Sequence, residues 1–256
     1  MGPEADRPAF RIGNDLFLRL VGLCFAIAFC SLWVQIDGLV GSRGILPAGE
    51  FLSWVRAQTG PGRFWLLPTL CWLGAGDGFL YLLCGAGTAA ALCAVRGFAP
   101  AAALFLCWAF YLSLSTVGQV FLEFQWDVLL LETGLLAFLF APFRLWPSRA
   151  GLAPVPAALW LQRWLLFRLM FSSGFVKLAS GDAAWGSLTA LRFYYETQPL
   201  PPWTAWFMHQ LPPWIQTVSC TVMFAVELVV PFFVFGPRRL RLAAFWAFAF
   251  LQAAIA

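Results

Sequence analysis

Apolar residues along this chain gather into long runs rather than into the short periodic stripes of a soluble fold. Six of the runs are long enough to cross a bilayer, whose ~30 Å hydrocarbon core takes about 20 helical residues. They cover approximately residues 16–36, 78–95, 99–117, 124–142, 159–179 and 214–235. A seventh run begins at Leu242, after Arg238, Arg239 and Arg241, and is cut off at Ala256, which suggests a truncated form with C-terminal sequence out of view. The pattern predicts an all-α polytopic transmembrane bundle of about six full spans and a truncated seventh, behind a charged leader over residues 1–15. Ala26-Ile27-Ala28 imitates a signal-peptide cleavage site, but the apolar run continues through Trp33, which favours a retained anchor.

Two connections, residues 37–76 and 180–213, are much longer than the rest. In the first, Pro47–Gln58 places Phe51, Trp54 and Val55 on one helical face, and Arg63–Leu73 carries Trp65 and Trp72. Both pieces predict short helices that lie on the membrane surface or re-enter it, with a packed loop as the alternative. The second connection carries Trp185, Phe193, Tyr194, Tyr195, Trp203, Trp206 and Phe207. Arg96-Gly97 predicts a tight turn, and Pro142, Pro147, Pro154 and Pro156 a breaker-rich loop. Pro231 cannot donate to the carbonyl of Glu227, so the sixth run is expected to loosen there.

Composition agrees. Of 256 residues, 61% are hydrophobic and 11% charged, far from the ~25% charge of a soluble domain. Arginines are scattered rather than striped, so the net charge of +4 points to no nucleic-acid partner. Their placement orients the chain instead. Arg7, Arg11, Arg96, Arg144, Arg149, Arg238, Arg239 and Arg241 fall on one side, and only Arg43, Arg56, Arg63 and Arg192 on the other. That asymmetry places the N-terminus in the cytosol and both long connections in the lumen or exterior. Of seven cysteines only Cys71 approaches a connection, so no disulfide framework is legible. Asn14, the single asparagine, stands before Asp15 and Leu16 and forms no glycosylation sequon.

Charge inside the apolar runs is the feature most in need of an explanation. Glu123, Asp127 and Glu132 accompany the fourth run, Arg163, Arg168 and Lys177 the fifth, and Glu227 the sixth. Each costs about 2.5–3.5 kcal/mol at membrane depth, so such groups pair within a bundle or line a cavity. Counting ~1.5 Å per residue from the lumenal ends matches Asp127 to Lys177 and Glu132 to Arg168. Glu227 then meets Arg168 or Arg163. As clamps these charges fix helix register; as a polar cavity they bind substrate or move protons. Lys177 is the only lysine against fifteen arginines, and a lysine, unlike an arginine, loses its proton readily in apolar surroundings. It is the candidate for chemistry if there is any. His209, the sole histidine, reads as a loop residue, and no metal site or catalytic triad is visible at ligand spacing.

Two stretches are long enough to carry a resemblance. One is Gln125-Trp126-Asp127-Val128-Leu129-Leu130-Leu131-Glu132-Thr133-Gly134. The other runs from Arg163 through Ser172-Ser173-Gly174-Phe175-Val176-Lys177, followed by Trp185, Leu188-Thr189-Ala190-Leu191 and Tyr195-Glu196-Thr197-Gln198-Pro199. Both resemble signatures of the lipase maturation factor family, closest to its second paralogous branch. The resemblance implies an endoplasmic reticulum multi-pass protein that helps secreted lipases of the homodimeric lipoprotein lipase type to mature. It implies no catalytic turnover and no cofactor, with client lipases and membrane lipid as partners. More distantly, Gly174-Phe175-Val176-Lys177-Leu178 is similar to the membrane core of vitamin K-dependent gamma-carboxylase. In that enzyme a lysine of the matching motif serves as a base; Val176 stands where it has an adjacent lysine.

Overall fold

The computed structural model describes residues 8–146, 156–198 and 201–255. Arg7, Arg149, Pro147, Pro154, Pro199 and Ala256, which entered the expectations above, lie outside them. The described residues form twelve α-helices and no strand: α1 (Pro8–Val40), α2 (Ala48–Thr59), α3 (Arg63–Leu66), α4 (Asp77–Arg96), α5 (Pro100–Gly118), α6 (Gln125–Phe140), α7 (Pro156–Ala179), α8 (Ala183–Gly186), α9 (Ala190–Thr197), α10 (Ala205–His209), α11 (Pro213–Leu228) and α12 (Arg238–Ile255). Two compact units divide the chain, Met1–Trp160 and Leu161–Ala256, so the boundary falls inside α7.

Helix–helix association in lipid gains little from hydrophobicity and depends on close packing, which small residues permit. The first unit follows that rule. α1 packs along α4 and also touches α5 and α6, while α4, α5 and α6 pack in chain order. Gly22 of α1 lies where a side chain would meet Ala94 at 2.9 Å, and Gly87 of α4 lies under the ring of Phe29. Phe25 and Phe29 are fully buried and meet Tyr111 edge-on, with ring centroids 5.8 and 5.5 Å away. Gly134 of α6 leaves room for the Phe25 ring, 2.6 Å from where a Cβ would stand. The Arg96-Gly97 turn is as expected. Gly97 adopts φ 73° and the Phe98 N–H returns to the Cys93 carbonyl, after which Pro100 opens α5.

The first long connection is tied to this bundle at several points. Ser42 donates from its N–H and its hydroxyl to the Asp77 carboxylate at 2.6 and 2.7 Å, joining the residues after α1 to the start of α4. Thr69 donates to the Ser113 carbonyl and accepts from the Cys71 N–H, while the Ser113 hydroxyl receives the Leu70 N–H. α2 begins one residue after Pro47, and its buried residues are Ala48, Leu52 and Val55. Val55 thus points into the bundle, whereas Trp54 is exposed. Burial pushes the Cys71 thiol above its ordinary value, so it stays protonated and a poor nucleophile. All seven cysteines are free thiols.

Among the described residues, four helices are long and apolar enough to cross a membrane: Ile12–Val40, Asp77–Arg96, Pro100–Phe121 and Pro213–Phe235. The other three expected spans are helices that differ in a definite way. α6 has 16 residues, about 24 Å of helix against a ~30 Å core. α7 carries Arg163, Arg168 and Lys177, and α12 opens on Arg238, Arg239 and Arg241.

In the second unit, α11 ends at Leu228 and a 3-10 stretch, Val230–Phe235, replaces its last turns. Pro231 causes this, as expected, by removing the N–H that a further α-helical turn requires. α12 folds back on that stretch and on α11, around Met170, Val226, Val234, Ala244, Phe248 and Leu251. The second long connection forms α8, α9 and α10, with α9 against both α10 and α11. Leu188 ends α8 in the left-handed region, φ 58°, a conformation that favours glycine. His209 is the last residue of α10 rather than a loop histidine, and its Nε2 lies 2.9 Å from Glu196 of α9. The Gln216 amide donates to the His209 and Leu211 carbonyls at 3.1 and 3.3 Å and so caps the end of α10.

Candidate functional site

Four residues apart on α7, Ser173 and Lys177 share one helical face. Next to Ser173 stands Gly174, where a Cβ would come within 2.9 Å of the Glu227 Cβ and of the Leu228 side chain. The missing side chain lets the two backbones approach and brings Glu227 into reach. Lys177 Nζ donates to both carboxylate oxygens of Glu227, at 2.6 and 2.7 Å, and to the Ser173 hydroxyl at 3.1 Å. Ser173 in turn donates to Glu227 at 3.1 Å. All three ammonium donors are thus committed. Glu227 is 3% exposed and the Lys177 side chain 22%, so it is the carboxylate that is desolvated, and dense hydrogen bonding offsets its loss of water. The Trp185 ring stands 5.7 Å from Nζ, at cation–π distance, and meets Phe224 edge-on. Replacing Gly174 with alanine is expected to destabilise the second unit by about 1–3 kcal/mol through overpacking, measured as a lower thermal midpoint in detergent.

A cavity of about 340 Å³ adjoins this pair. Lys177, Glu227 and Trp185 line it together with Tyr195 and Gln198 from the second connection, Ser219 and Met223 from α11, and Phe250 and Leu251 from α12. Most of the lining is apolar. Burial pushes the Tyr195 phenol above its ordinary value, which keeps it a neutral donor and acceptor.

The first unit holds a separate buried carboxylate. Asp127, in the first turn of α6, is 4% exposed and accepts a 2.6 Å hydrogen bond from the Tyr111 hydroxyl. Its Oδ2 has no hydrogen-bond partner among the described residues. Phe25 and Phe29 hold the Tyr111 ring in place.

These contacts correct the expected pairings. Lys177 meets Glu227 rather than Asp127, and Asp127 is met by Tyr111. The depth count failed because the second connection is not a surface loop. It folds back along α11, so that Lys177, near the end of α7, sits level with a residue roughly 21 Å into α11. Glu123 precedes α6 and is exposed, outside any buried cluster. Glu132 and Arg163 are half-buried and Arg168 is exposed. Glu132 belongs to the first unit and Arg163 and Arg168 to the second, and their pairing stays an expectation.

Most of the signature positions acquire a physical role. Gly134 accommodates Phe25, Gly174 admits Glu227, Trp185 lies against Lys177, Tyr195 lines the cavity and Glu196 holds His209. Trp126 stacks on Phe124 at 4.6 Å, and Gln125 opens α6. Ser173 and Tyr111 were not anticipated. Ser173 was discoverable from its spacing of four to Lys177, whereas nothing in the sequence links Tyr111 to Asp127.

Comparison with known proteins places the chain. The family described as lipase maturation factor transmembrane domain matches residues 12–256. Lipase maturation factor 2 of Rattus norvegicus is 48% identical over 94% of this chain and 37% of the relative's own length. The Homo sapiens protein of that name is 47% identical over 96% of this chain and 37% of its own. Lipase maturation factor 1 of Mus musculus is 34% identical over 93% of this chain and 44% of its own. The chain therefore spans less than half the length of these relatives. No solved structure matches. With its signature glycines and lysine accounted for by helix contacts, and with similarity over nearly its whole length, the chain belongs to the lipase maturation factor family.

Proposed function

We propose that this chain assists the maturation of secreted lipases from within the endoplasmic reticulum membrane, with homodimeric lipases of the lipoprotein lipase type as clients. In this reading the N-terminus is cytosolic and both long connections face the lumen, an orientation supported by the arginine asymmetry. The protein works without catalytic turnover and without a cofactor. The single observation that carries the reading is the family relationship, which extends over 94% and 96% of the chain for the rat and human relatives. The geometry at Lys177 supports it, because an amine whose three donors are engaged by Glu227 and Ser173 is built to hold two helices.

A carboxylase-like enzyme with Lys177 as base is the second reading, and one observation favours it: a cavity does adjoin that lysine. The experiment is secretion of active lipase from cells lacking the protein, complemented with the intact protein, with this chain, or with Lys177 variants. Rescue by a Lys177→Met/Glu227→Leu double variant is expected. Failure of that variant despite normal folding favours the enzyme reading, and failure of the intact protein overturns the maturation role.

A further inference from the structure

We propose that the cavity beside Lys177 and Glu227 is a binding site for a single uncharged amphiphile drawn from the membrane, such as a monoacylglycerol, with its polar head among Tyr195, Gln198 and Ser219. Its volume of about 340 Å³ lies within the range of small-molecule sites, about 300–1,000 Å³.

Charge selects the head group. The two charged residues in the wall neutralise each other through bonds of 2.6 and 2.7 Å. An anionic head would meet an ammonium already saturated and a carboxylate that repels it. A cationic head would have to displace Lys177. What the wall still offers is neutral: the Tyr195 phenol, the Gln198 amide and the Ser219 hydroxyl line the cavity and make no internal hydrogen bond among the described residues. All three are half-buried with their hydrogen-bonding capacity open, and the hydroxyl and ester oxygens of a neutral lipid match that set of donors and acceptors.

The mouth selects the source. Val218, Val222 and Phe250 line the cavity and are 52%, 44% and 65% exposed. The two valines belong to Pro213–Phe235, one of the segments apolar enough to span a bilayer. Acyl chain rather than water is the medium that suits such a rim, so entry is lateral.

This inference does not rest on the maturation role, and its test involves no lipase. The chain is placed in vesicles doped with a photoreactive diazirine probe in one of three forms: a monoacylglycerol, a fatty acid or a phosphatidylcholine. Crosslinked peptides are then mapped by mass spectrometry. The monoacylglycerol probe is expected to label α11 and α12 around Met223 and Phe250. Filling the interior with Met223→Trp should lower that labelling about tenfold or more, while Val229→Trp, away from the cavity, should leave it unchanged. Val222→Trp, which blocks the mouth without entering the core, serves where Met223→Trp does not fold. Equal labelling by all three probes, preference for the fatty acid, or labelling insensitive to the filling variants would each overturn the proposal.

Discussion

Lys177→Met is expected to destabilise the second unit by about 3–5 kcal/mol, because it leaves Glu227 charged and buried with its main partner gone. Glu227→Leu should cost less, because the Lys177 side chain is 22% exposed and its ammonium can turn to water. The double variant Lys177→Met/Glu227→Leu should regain most of the loss, since an ion pair replaced by apolar side chains of similar volume is often neutral or stabilising. Thermal unfolding of the four proteins in detergent forms the double-mutant cycle. A double variant as unstable as the sum of the singles would show that the two residues act independently, contrary to their bond lengths of 2.6 and 2.7 Å. Ser173→Ala adds a graded check. It removes one donor to Glu227 and one acceptor from Lys177 and should cost less than either charge.

Tyr111→Phe is the second substitution expected to act strongly. The hydroxyl is the one hydrogen-bond donor that the described side chains give Asp127, whose other oxygen already goes without a partner. Hydrogen bonds to charged groups contribute about 1.5–3 kcal/mol, and an orphaned buried carboxylate costs more than the bond alone. The ring itself is retained by phenylalanine, so the contacts with Phe25 and Phe29 survive and the loss reports on the hydroxyl. Asp127→Leu/Tyr111→Phe should be more stable than Tyr111→Phe alone. If Tyr111→Phe unfolds at the same temperature as the parent, Asp127 is not held as the structure shows.

Reading the chain carries both buried carboxylates equally far. Asp127, Glu227 and Lys177 were conspicuous at once, because charge in apolar sequence has a definite cost. Their partners were not. Depth arithmetic assumes that helices begin at a common plane, and the second connection breaks that assumption by packing α9 against α11. The same folding-back creates the cavity, which joins residues as distant in sequence as Lys177 and Phe250. Local features fared better. The Arg96-Gly97 turn and the break before Pro231 depend on backbone chemistry within a few residues, and both appear where expected. Which residues of α2 are buried is decided instead by the bundle it meets.

Helical class, membrane character and family were legible in the linear order of residues, because hydropathy and local motifs are properties of short segments. The Lys177–Glu227 bond, the Tyr111–Asp127 bond and the cavity arise only when remote segments meet. The first depends on Gly174, which lets α7 and α11 approach, and the cavity on the short helices of the second connection, and such approach is a property of three dimensions.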